Sequence, residues 1–299
     1  MKNIDLQVNG YLGISFSSET LTEDIAREAL SGLVENGAEL FLPTIITSSE
    51  ETFQKNLQIL SGLIETDFAD NCPGIHLEGP FLCPQEGAVG AHNPEWVQKP
   101  DCDAFKRYQD YANGKIKILT VAAGEENVES LIAYAVSTGV RISLGHQLAN
   151  GEDLKRAAGS GATALTHFCN GLPNMIHRHN NTIWAALAND DLTAMIIADG
   201  HHIPVDLIKV IFAAKGIDKT IVVSDASSYA GMPPGDYHGM GNRIVIEENG
   251  LLHNPDKGCL VGSSFIMPDC IDYLESIDLF SQKDIKQMVY DNPNDYIGL

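Results

Sequence analysis

The sequence has 299 residues, of which 44% are hydrophobic and 20% are charged, and its formal net charge at pH 7 is −21. This composition is typical of a globular protein with a sizeable core and excludes extended disorder. The acidic excess would repel nucleic acid and anionic membranes, which bind proteins mainly through clustered Lys and Arg, so neither partner is expected.

The chain shows no targeting or redox signature. No apolar run approaches the roughly 20 residues needed to cross a bilayer, and the first residues lack the apolar core of a signal peptide. We therefore expect a cytoplasmic protein. The six cysteines are dispersed without a CxxC pair, so we predict neither a disulfide framework nor a cysteine-based zinc site.

Short β-branched runs alternate with longer amphipathic stretches, which is the pattern of βα units around a parallel sheet. The predicted strands are Ile4–Val8, Glu39–Ile46, Gly74–Glu78, Ile116–Ala122, Arg141–Gly145, Ala162–Thr166, Ala194–Ala198 and Thr220–Ser224. The predicted helices between them are Thr22–Asn36, Glu50–Glu65, Val128–Thr138, Gly151–Ala158 and Pro204–Lys215. Because eight is the strand number of a closed βα barrel, we predict an α/β protein with a (β/α)₈ TIM-like barrel.

The pattern changes after the eighth predicted strand. We predict a turn-rich segment from Gly231 to Gly241, a hairpin of Arg243–Ile246 and Leu251–His253, and closing helices over Met267–Ser276 and Gln282–Tyr290. No repeat, low-complexity tract or linker divides the chain. We therefore predict one catalytic domain over residues 1–299.

Polar residues stand at the ends of four predicted strands. Glu78, His146, His167 and Asp225 follow or end strands three, five, six and eight, and the carboxyl ends of barrel strands meet at one mouth where chemistry is built. One carboxylate with two imidazoles suits a divalent ion and leaves a coordination position open for water. We predict Glu78, His146 and His167 as metal ligands, with zinc favoured over iron, cobalt, manganese or nickel.

Asp225 is then predicted to act as the general base toward water and as the general acid toward the leaving nitrogen. Each of these four residues taken alone has a structural alternative. A polar residue beside a strand often only satisfies hydrogen bonds, and Asp225 could be a turn residue or a helix N-cap.

Gln7 and Asn9 are two residues apart on the first predicted strand, so their side chains point to the same side. In many metal-dependent hydrolases of this barrel class, a His-x-His pair at this position serves a second metal. Neutral amides are much poorer zinc ligands. We therefore interpret Gln7 and Asn9 as vestigial second-metal positions and predict one ion per subunit.

These residues lie in longer strings whose order and spacing carry a family resemblance. The strings are Asp-Leu-Gln-Val-Asn-Gly (5–10), Leu-Pro-Thr-Ile-Ile-Thr (42–47), His-Leu-Glu-Gly-Pro-Phe (76–81), Gly-Ala-His-Asn-Pro (90–94), Leu-Gly-His (144–146), Thr-His-Phe-Cys-Asn-Gly (166–171), Ala-Asp-Gly-His-His (198–202), Val-Ser-Asp-Ala (223–226) and Val-Gly-Ser-Ser (261–264). Over nearly the whole chain, the sequence resembles the N-acetylglucosamine-6-phosphate deacetylase family of the amidohydrolase superfamily.

The resemblance implies hydrolysis of the N-acetyl amide of N-acetylglucosamine 6-phosphate, with the ligand and acid/base residues as above. It also implies that His92 faces the sugar hydroxyls, that the backbone around Asn170 and Gly171 meets the phosphate, and that Arg178 and His202 bind it. In relatives, part of the phosphate site comes from the neighbouring subunit, so a homodimer is implied. Relatives also carry a small β-sandwich domain, most of which we expect to be absent here.

The chain departs from the family pattern at three places. The family continues its Arg with Glu-Pro-Gly where this chain has Arg178-His179-Asn180-Asn181, reads Ala-Pro-Glu where this chain has 122–125 as Ala-Ala-Gly-Glu, and has Lys where Val89 stands. Two alternatives therefore stay open. One is a deacetylase of another N-acyl amino sugar or a small acylated amine, and the other is a non-catalytic sugar-phosphate-binding paralogue.

Overall fold

A parallel barrel forms the centre of the protein. The computed structural model describes residues 1–239, 242–256 and 258–299. The barrel strands follow chain order as β1 Ile4–Val8, β2 Leu40–Ile46, β3 Ile75–Glu78, β4 Ile116–Val121, β5 Arg141–Leu144, β6 Ala162–Leu165, β7 Thr193–Ile197 and β8 Thr220–Val223. A parallel bridge between Val8 and Ala226 closes the ring. The predicted TIM-like barrel is confirmed, and each strand end lies within one residue of its predicted position.

Helices surround the barrel. They are α1 Glu23–Glu35, α2 Glu50–Thr66, α3 Cys102–Tyr111, α4 Val128–Ser137, α5 Gly151–Gly159, α6 Thr182–Leu187, α7 Val205–Lys215, α8 Met267–Ser276, α9 Gln282–Lys286 and α10 Asn292–Ile297. The sequence did not predict α3, α6 and α10. Two of these are short, and α3 buries only Ala104, Phe105 and Tyr108, which is a narrow apolar stripe in a polar segment. The predicted helix over Gln282–Tyr290 is α9 followed by a π-helical turn, Gln287–Asp291.

Local signals account for where the helices begin and end. The hydroxyls of Thr22 and Ser49 accept backbone N–H groups at the starts of α1 and α2, as N-cap residues do. Gly37, Gly139 and Gly216 have φ values of 92°, 88° and 72°, which a side chain would disfavour. These glycines therefore end α1, α4 and α7 as predicted.

Two apolar layers hold the barrel. The larger layer lies between the strands and the surrounding helices. A second cluster joins the opposite face of the strands, which is the barrel interior, to the last helix; its buried members include Leu6, Leu42, Ile118, Met195 and Ile297. Packing thus closes the amino-terminal end of the barrel and leaves polar groups for the carboxyl end.

An antiparallel sheet follows the barrel. Its strands are β9 Gly235–Gly239, β10 Asn242–Ile246, β11 Leu252–Asn254 and β12 Cys259–Leu260. The segment from Gly231 was predicted to be turn-rich, and the strand β9 within it was not predicted. Its Gly and Asp residues disfavour strands in isolation but pair here with β10. The end of that predicted segment, Gly241, lies outside the described residues. In the described part of the chain, no helix combines the length and apolar character of a membrane span.

Candidate active site

The four predicted residues converge at the carboxyl end of the barrel. Glu78 is the last residue of β3, and His146, His167 and Asp225 each stand two residues beyond β5, β6 and β8. The last three have positive φ values of 51°, 28° and 50°. Such values are uncommon and costly for residues other than glycine, and they cluster at functional sites. The chain therefore turns sharply after each strand, which directs these side chains into the barrel mouth.

Three ligand atoms form a small triangle. Glu78 Oε1 lies 2.9 Å from His167 Nε2 and 3.2 Å from His146 Nε2, and the two Nε2 atoms are 2.9 Å apart. An ion with bonds of about 2.1 Å separates neighbouring ligand atoms by about 3.0–3.4 Å in octahedral or tetrahedral geometry. All three side chains are buried. The donor set and its spacing therefore fit one divalent ion.

The protonation of the triangle also fits a ligand set. His146 Nδ1 lies 2.8 Å from the carbonyl oxygen of Ala88, which can only accept, so the proton is on Nδ1 and the Nε2 lone pair faces the triangle. Burial opposes ionisation of Glu78, but the adjacent His146 and His167 rings hold its pKa well below the ordinary range. Glu78 is thus a carboxylate. His167 Nδ1 is buried and has no hydrogen-bond partner in the described ranges.

His92 lies against the triangle with a different tautomer. Its Nδ1 accepts the backbone N–H of Thr47 at 3.3 Å, so the ring proton is on Nε2, which lies 3.2 Å from His146 Nε2. Distance alone would permit a metal group of Glu78, His92 and His146, whose ligand atoms lie within 4.8 Å of one another. A ligating nitrogen must present a lone pair, however. Burial lowers the pKa of His92 to about 3, so it stays neutral and its Nε2–H can donate a hydrogen bond.

Asp225 is held through one of its two oxygens. Gln7 Nε2 and Asn9 Nδ2 donate to Asp225 Oδ1 at 2.9 and 2.7 Å. Burial raises the pKa of Asp225 above its ordinary value, against the opposing charge of His167. The amides of Gln7 and Asn9 thus clamp Oδ1 and leave Oδ2 for the cavity. Their own oxygens, Gln7 Oε1 and Asn9 Oδ1, are buried without a partner among the described residues.

These groups line one cavity of about 240 Å³. Of the predicted site residues, its lining includes Asn9, Glu78, His92, His146, His167, Asn170, Gly171, His202 and Asp225. Arg178 does not line it. In a single copy of the chain, Arg178 is exposed on the loop before α6, where its carbonyl oxygen accepts the indole N–H of Trp184.

The end of the antiparallel sheet and the residues after it form another wall of the cavity. Leu260, Val261 and Gly262 line it, and the Ser227 N–H donates to the Ser263 carbonyl oxygen at 2.8 Å. The Val-Gly-Ser-Ser string therefore runs beside the strand end that carries Asp225. These two segments are far apart in the sequence, and they meet here because Ala226, just after β8, forms a parallel bridge with Ser263.

Comparison with known proteins agrees with this geometry. No family model matches the chain. The N-acetylglucosamine-6-phosphate deacetylase of Bacillus subtilis is 31% identical over 304 residues, which cover 99% of this chain and 74% of that protein. The chain belongs to the N-acetylglucosamine-6-phosphate deacetylase family. The resemblance found from the motifs is thereby confirmed.

The chain is also similar to a second kind of deacetylase in sequence and to a solved deacetylase in structure. An N-acetylgalactosamine-6-phosphate deacetylase of a Shewanella species is 28% identical over 295 residues, covering 98% of this chain and 73% of that protein. The structure of the Mycobacterium smegmatis N-acetyl-D-glucosamine-6-phosphate deacetylase in complex with N-acetyl-D-glucosamine-6-phosphate has a TM-score of 0.88 at 23% identity, covering 99% of this chain and 77% of that chain. The structural likeness shows that the fold is shared.

Sequence reasoning did not predict several contacts within this site. Thr47 sets the tautomer of His92, and Asp199 contacts His202. Gly90 and Gly171 approach the His146 ring so closely that a Cβ atom on either would lie 2.9 Å from it. All four lie inside the motif strings, but only the folded chain shows which side chain each one contacts.

Proposed function

We propose that the chain is a metal-dependent deacetylase that hydrolyses the N-acetyl amide of N-acetylglucosamine 6-phosphate to glucosamine 6-phosphate and acetate. One observation carries the proposal: in a chain of this family, the triangle of Glu78, His146 and His167 shares one cavity with the clamped carboxylate of Asp225. A protein that only binds a sugar phosphate needs neither group. The non-catalytic alternative is therefore disfavoured.

The proposed ligands of a single ion, for which zinc is the first choice, are Glu78, His146 and His167. A divalent ion bound there supplies Lewis acidity to the acetyl carbonyl and to water. Asp225 Oδ2 accepts a proton from the attacking water and passes it to the amide nitrogen as the carbon–nitrogen bond breaks. His92 Nε2–H is a donor for a sugar hydroxyl. One water is consumed, and acetate and the free amine are formed.

We further propose that two copies of the chain complete the phosphate site. Among the described residues, the cavity lining includes no Lys or Arg, although a phosphate dianion is bound best by such groups. Arg178 is exposed on a loop that also exposes Met175, with 89% of its surface accessible, and Ile176; Trp184 of α6 is exposed beside it. An exposed apolar patch beside the Arg178 guanidinium, which does not line the cavity of its own chain, suits a homodimer in which Arg178 reaches the cavity of the partner.

The second candidate substrate is the epimeric sugar, N-acetylgalactosamine 6-phosphate, because a relative of similar identity and coverage carries that name. Other N-acyl amino sugars and small acylated amines form the remaining alternative. The predicted cytoplasmic location and the single domain over residues 1–299 stay predictions.

The deciding experiment measures acetate release from both phosphorylated sugars and from their unphosphorylated forms, with protein stripped of metal and then resupplied with zinc. We expect turnover of N-acetylglucosamine 6-phosphate at the highest kcat/KM, lost on stripping and regained with metal. Preference for the galactose epimer would select the second candidate. If no acylated sugar is turned over by the metal-loaded protein, the deacetylase proposal is wrong.

A further inference from the structure

His202 lines the active-site cavity through a ring that is fixed from behind. It follows β7 in the Ala-Asp-Gly-His-His string, and its side chain is 6% exposed. His202 Nδ1 lies 2.7 Å from Asp199 Oδ2, and the Asp199 side chain is 3% exposed. The pair is thus a buried contact directly behind the cavity wall.

Asp199 is itself rigidly held. Its Oδ1 accepts the backbone N–H groups of His201 at 2.9 Å and of His202 at 3.0 Å. Gly200, at φ +77°, makes the intervening turn, and a Cβ atom there would lie 2.7 Å from the ring of Tyr273 in α8. Both carboxylate oxygens therefore accept hydrogen bonds, and the turn packs closely against Tyr273 of α8.

The carboxylate determines which nitrogen of His202 meets the ligand. Burial opposes ionisation of Asp199, but the hydrogen bonds from His202 and the backbone lower its pKa to about 2, so it is a pure acceptor at neutral pH. His202 Nδ1 must then carry a proton. The ring nitrogen left for the cavity is Nε2, for which the described residues show no hydrogen bond. It can donate only when the ring is protonated.

Several titratable groups lie around His202. Asp199 is in contact with the ring, Asp225 acts on it across the cavity, and the other titratable groups near the pair are His201 beside it and Cys270 and Tyr273 of α8. The cavity lining in the described ranges supplies no Lys or Arg. Nε2 of His202 is therefore the ring nitrogen that this copy of the chain presents to an anion in the cavity.

We propose that Asp199 is a positioning residue, which holds His202 Nδ1–H and so turns Nε2 into the cavity to meet the phosphate of the amino-sugar phosphate. The inference rests on the proposed function for the identity of its ligand. It assigns to Asp199 no contact with the substrate.

The test compares Asp199→Asn with wild type on N-acetylglucosamine 6-phosphate and on N-acetylglucosamine. Asparagine keeps the size of the side chain but removes the charge, so we expect KM for the phosphorylated sugar to rise about tenfold or more, as loss of a charged hydrogen bond does. We expect little change in kcat and in kcat/KM for the unphosphorylated sugar. Asp206→Asn, in the following helix with a 95% exposed carboxylate, is the matched control and should match wild type.

A double-mutant cycle separates positioning from simple destabilisation. If Asp199 acts through His202, Asp199→Asn should add no further rise in KM in a His202→Ala background. Equal loss of kcat for both sugars, or additive effects in the double variant, would overturn the inference.

Failure of the proposed function gives a different result, because wild type itself would then be inactive on both sugars. In that case, ring-nitrogen NMR of His202 during titration with inorganic phosphate still decides the inference. The expected outcome is a His202 Nε2 signal that responds to phosphate in wild type but not in Asp199→Asn. An unchanged response in the variant would contradict it.

Discussion

Asp225 shows how single residues divide the work in this site. Gln7 and Asn9 hold one of its oxygens, so only the other is free to move a proton. We expect Asp225→Asn to lose about 10²–10⁴-fold in kcat, because a positioned proton-transfer group contributes about that much. Metal content measured on the same preparation should equal that of wild type. Near-normal turnover would make Asp225 structural.

The proposed histidine ligands, His146 and His167, are tested by metal content rather than by rate. Removing one of three protein ligands weakens a site greatly, so His146→Ala and His167→Ala should each lose metal and activity together. His253→Ala is a suitable control, since that ring pairs with Glu247 on the antiparallel sheet, away from the cavity. Stoichiometric metal in both ligand variants would contradict the assignment.

The buried carboxyl of Asp5 should make the free energy of unfolding depend on pH. Burial raises the pKa of Asp5 to about 7, whereas an aspartate carboxyl in an unfolded chain has a pKa of about 4. Between these values, the unfolded state has lost a proton that the folded state retains. The free energy of unfolding should therefore fall as pH rises through this window, by up to about 4 kcal/mol from this group.

Asp5→Asn provides the measurement. The amide oxygen can still accept the N–H groups of Gln7 and Ser224 that Asp5 Oδ1 accepts, but it has no charge to desolvate. Denaturant unfolding from pH of about 4 to about 8 should show the variant gaining stability relative to wild type. Asp70→Asn, on an exposed side chain, should show no such gain. A constant difference across the range would mean that Asp5 is already ionised when folded.

At the scale of elements, two loops hold His146, a proposed metal ligand, between glycines. Gly90 precedes His92 in one loop and Gly171 follows β6 in another, and both backbones contact the His146 ring. Gly171→Ala combines a φ of +63° with a Cβ atom 2.9 Å from His146 Nδ1, so the ring must shift. We expect metal affinity to fall about tenfold or more, as when the support of a ligand is lost.

Gly114→Ala provides the matched control for that prediction. Gly114 has a similar φ of +73° but no heavy atom within 4 Å of the added Cβ. It should share the backbone strain, visible as a lower Tm, and keep full metal affinity in a chelator competition. Equal metal affinity in the two glycine variants would show that the close packing of Gly171 does not fix the position of the His146 ring.

At the scale of the whole molecule, Arg178 lies outside the cavity of its own chain. A complementation experiment can therefore test whether it serves the cavity of a partner subunit. We expect Arg178→Ala and Asp225→Asn, each weak alone at low substrate, to regain activity when they are unfolded and refolded together. If Arg178 serves the partner, half of the dimers are mixed and each has one intact cavity, giving about a quarter of wild-type activity. Activity that stays at the mean of the two variants would place Arg178 in its own site or outside any site.

The sequence alone determined the barrel, because strand alternation and helix-ending glycines are local signals that each segment carries by itself. It also predicted which polar side chains gather at the mouth, since strand ends converge in any such barrel. Its failures were β9, which needs a pairing partner, and α3, α6 and α10, which are too short or too weakly amphipathic to stand out.

Only the tertiary structure decided what each polar group contacts. The tautomer of His92 depends on Thr47, 45 residues away, the clamp on Asp225 spans 218 residues, and the close approach of Gly171 to His146 joins two different loops. Such contacts are set by distances of a few tenths of an ångström, which residue spacing does not encode. The sequence therefore determined the candidate groups, and the folded chain determined their protonation, their orientation and the exclusion of Arg178 from its own cavity.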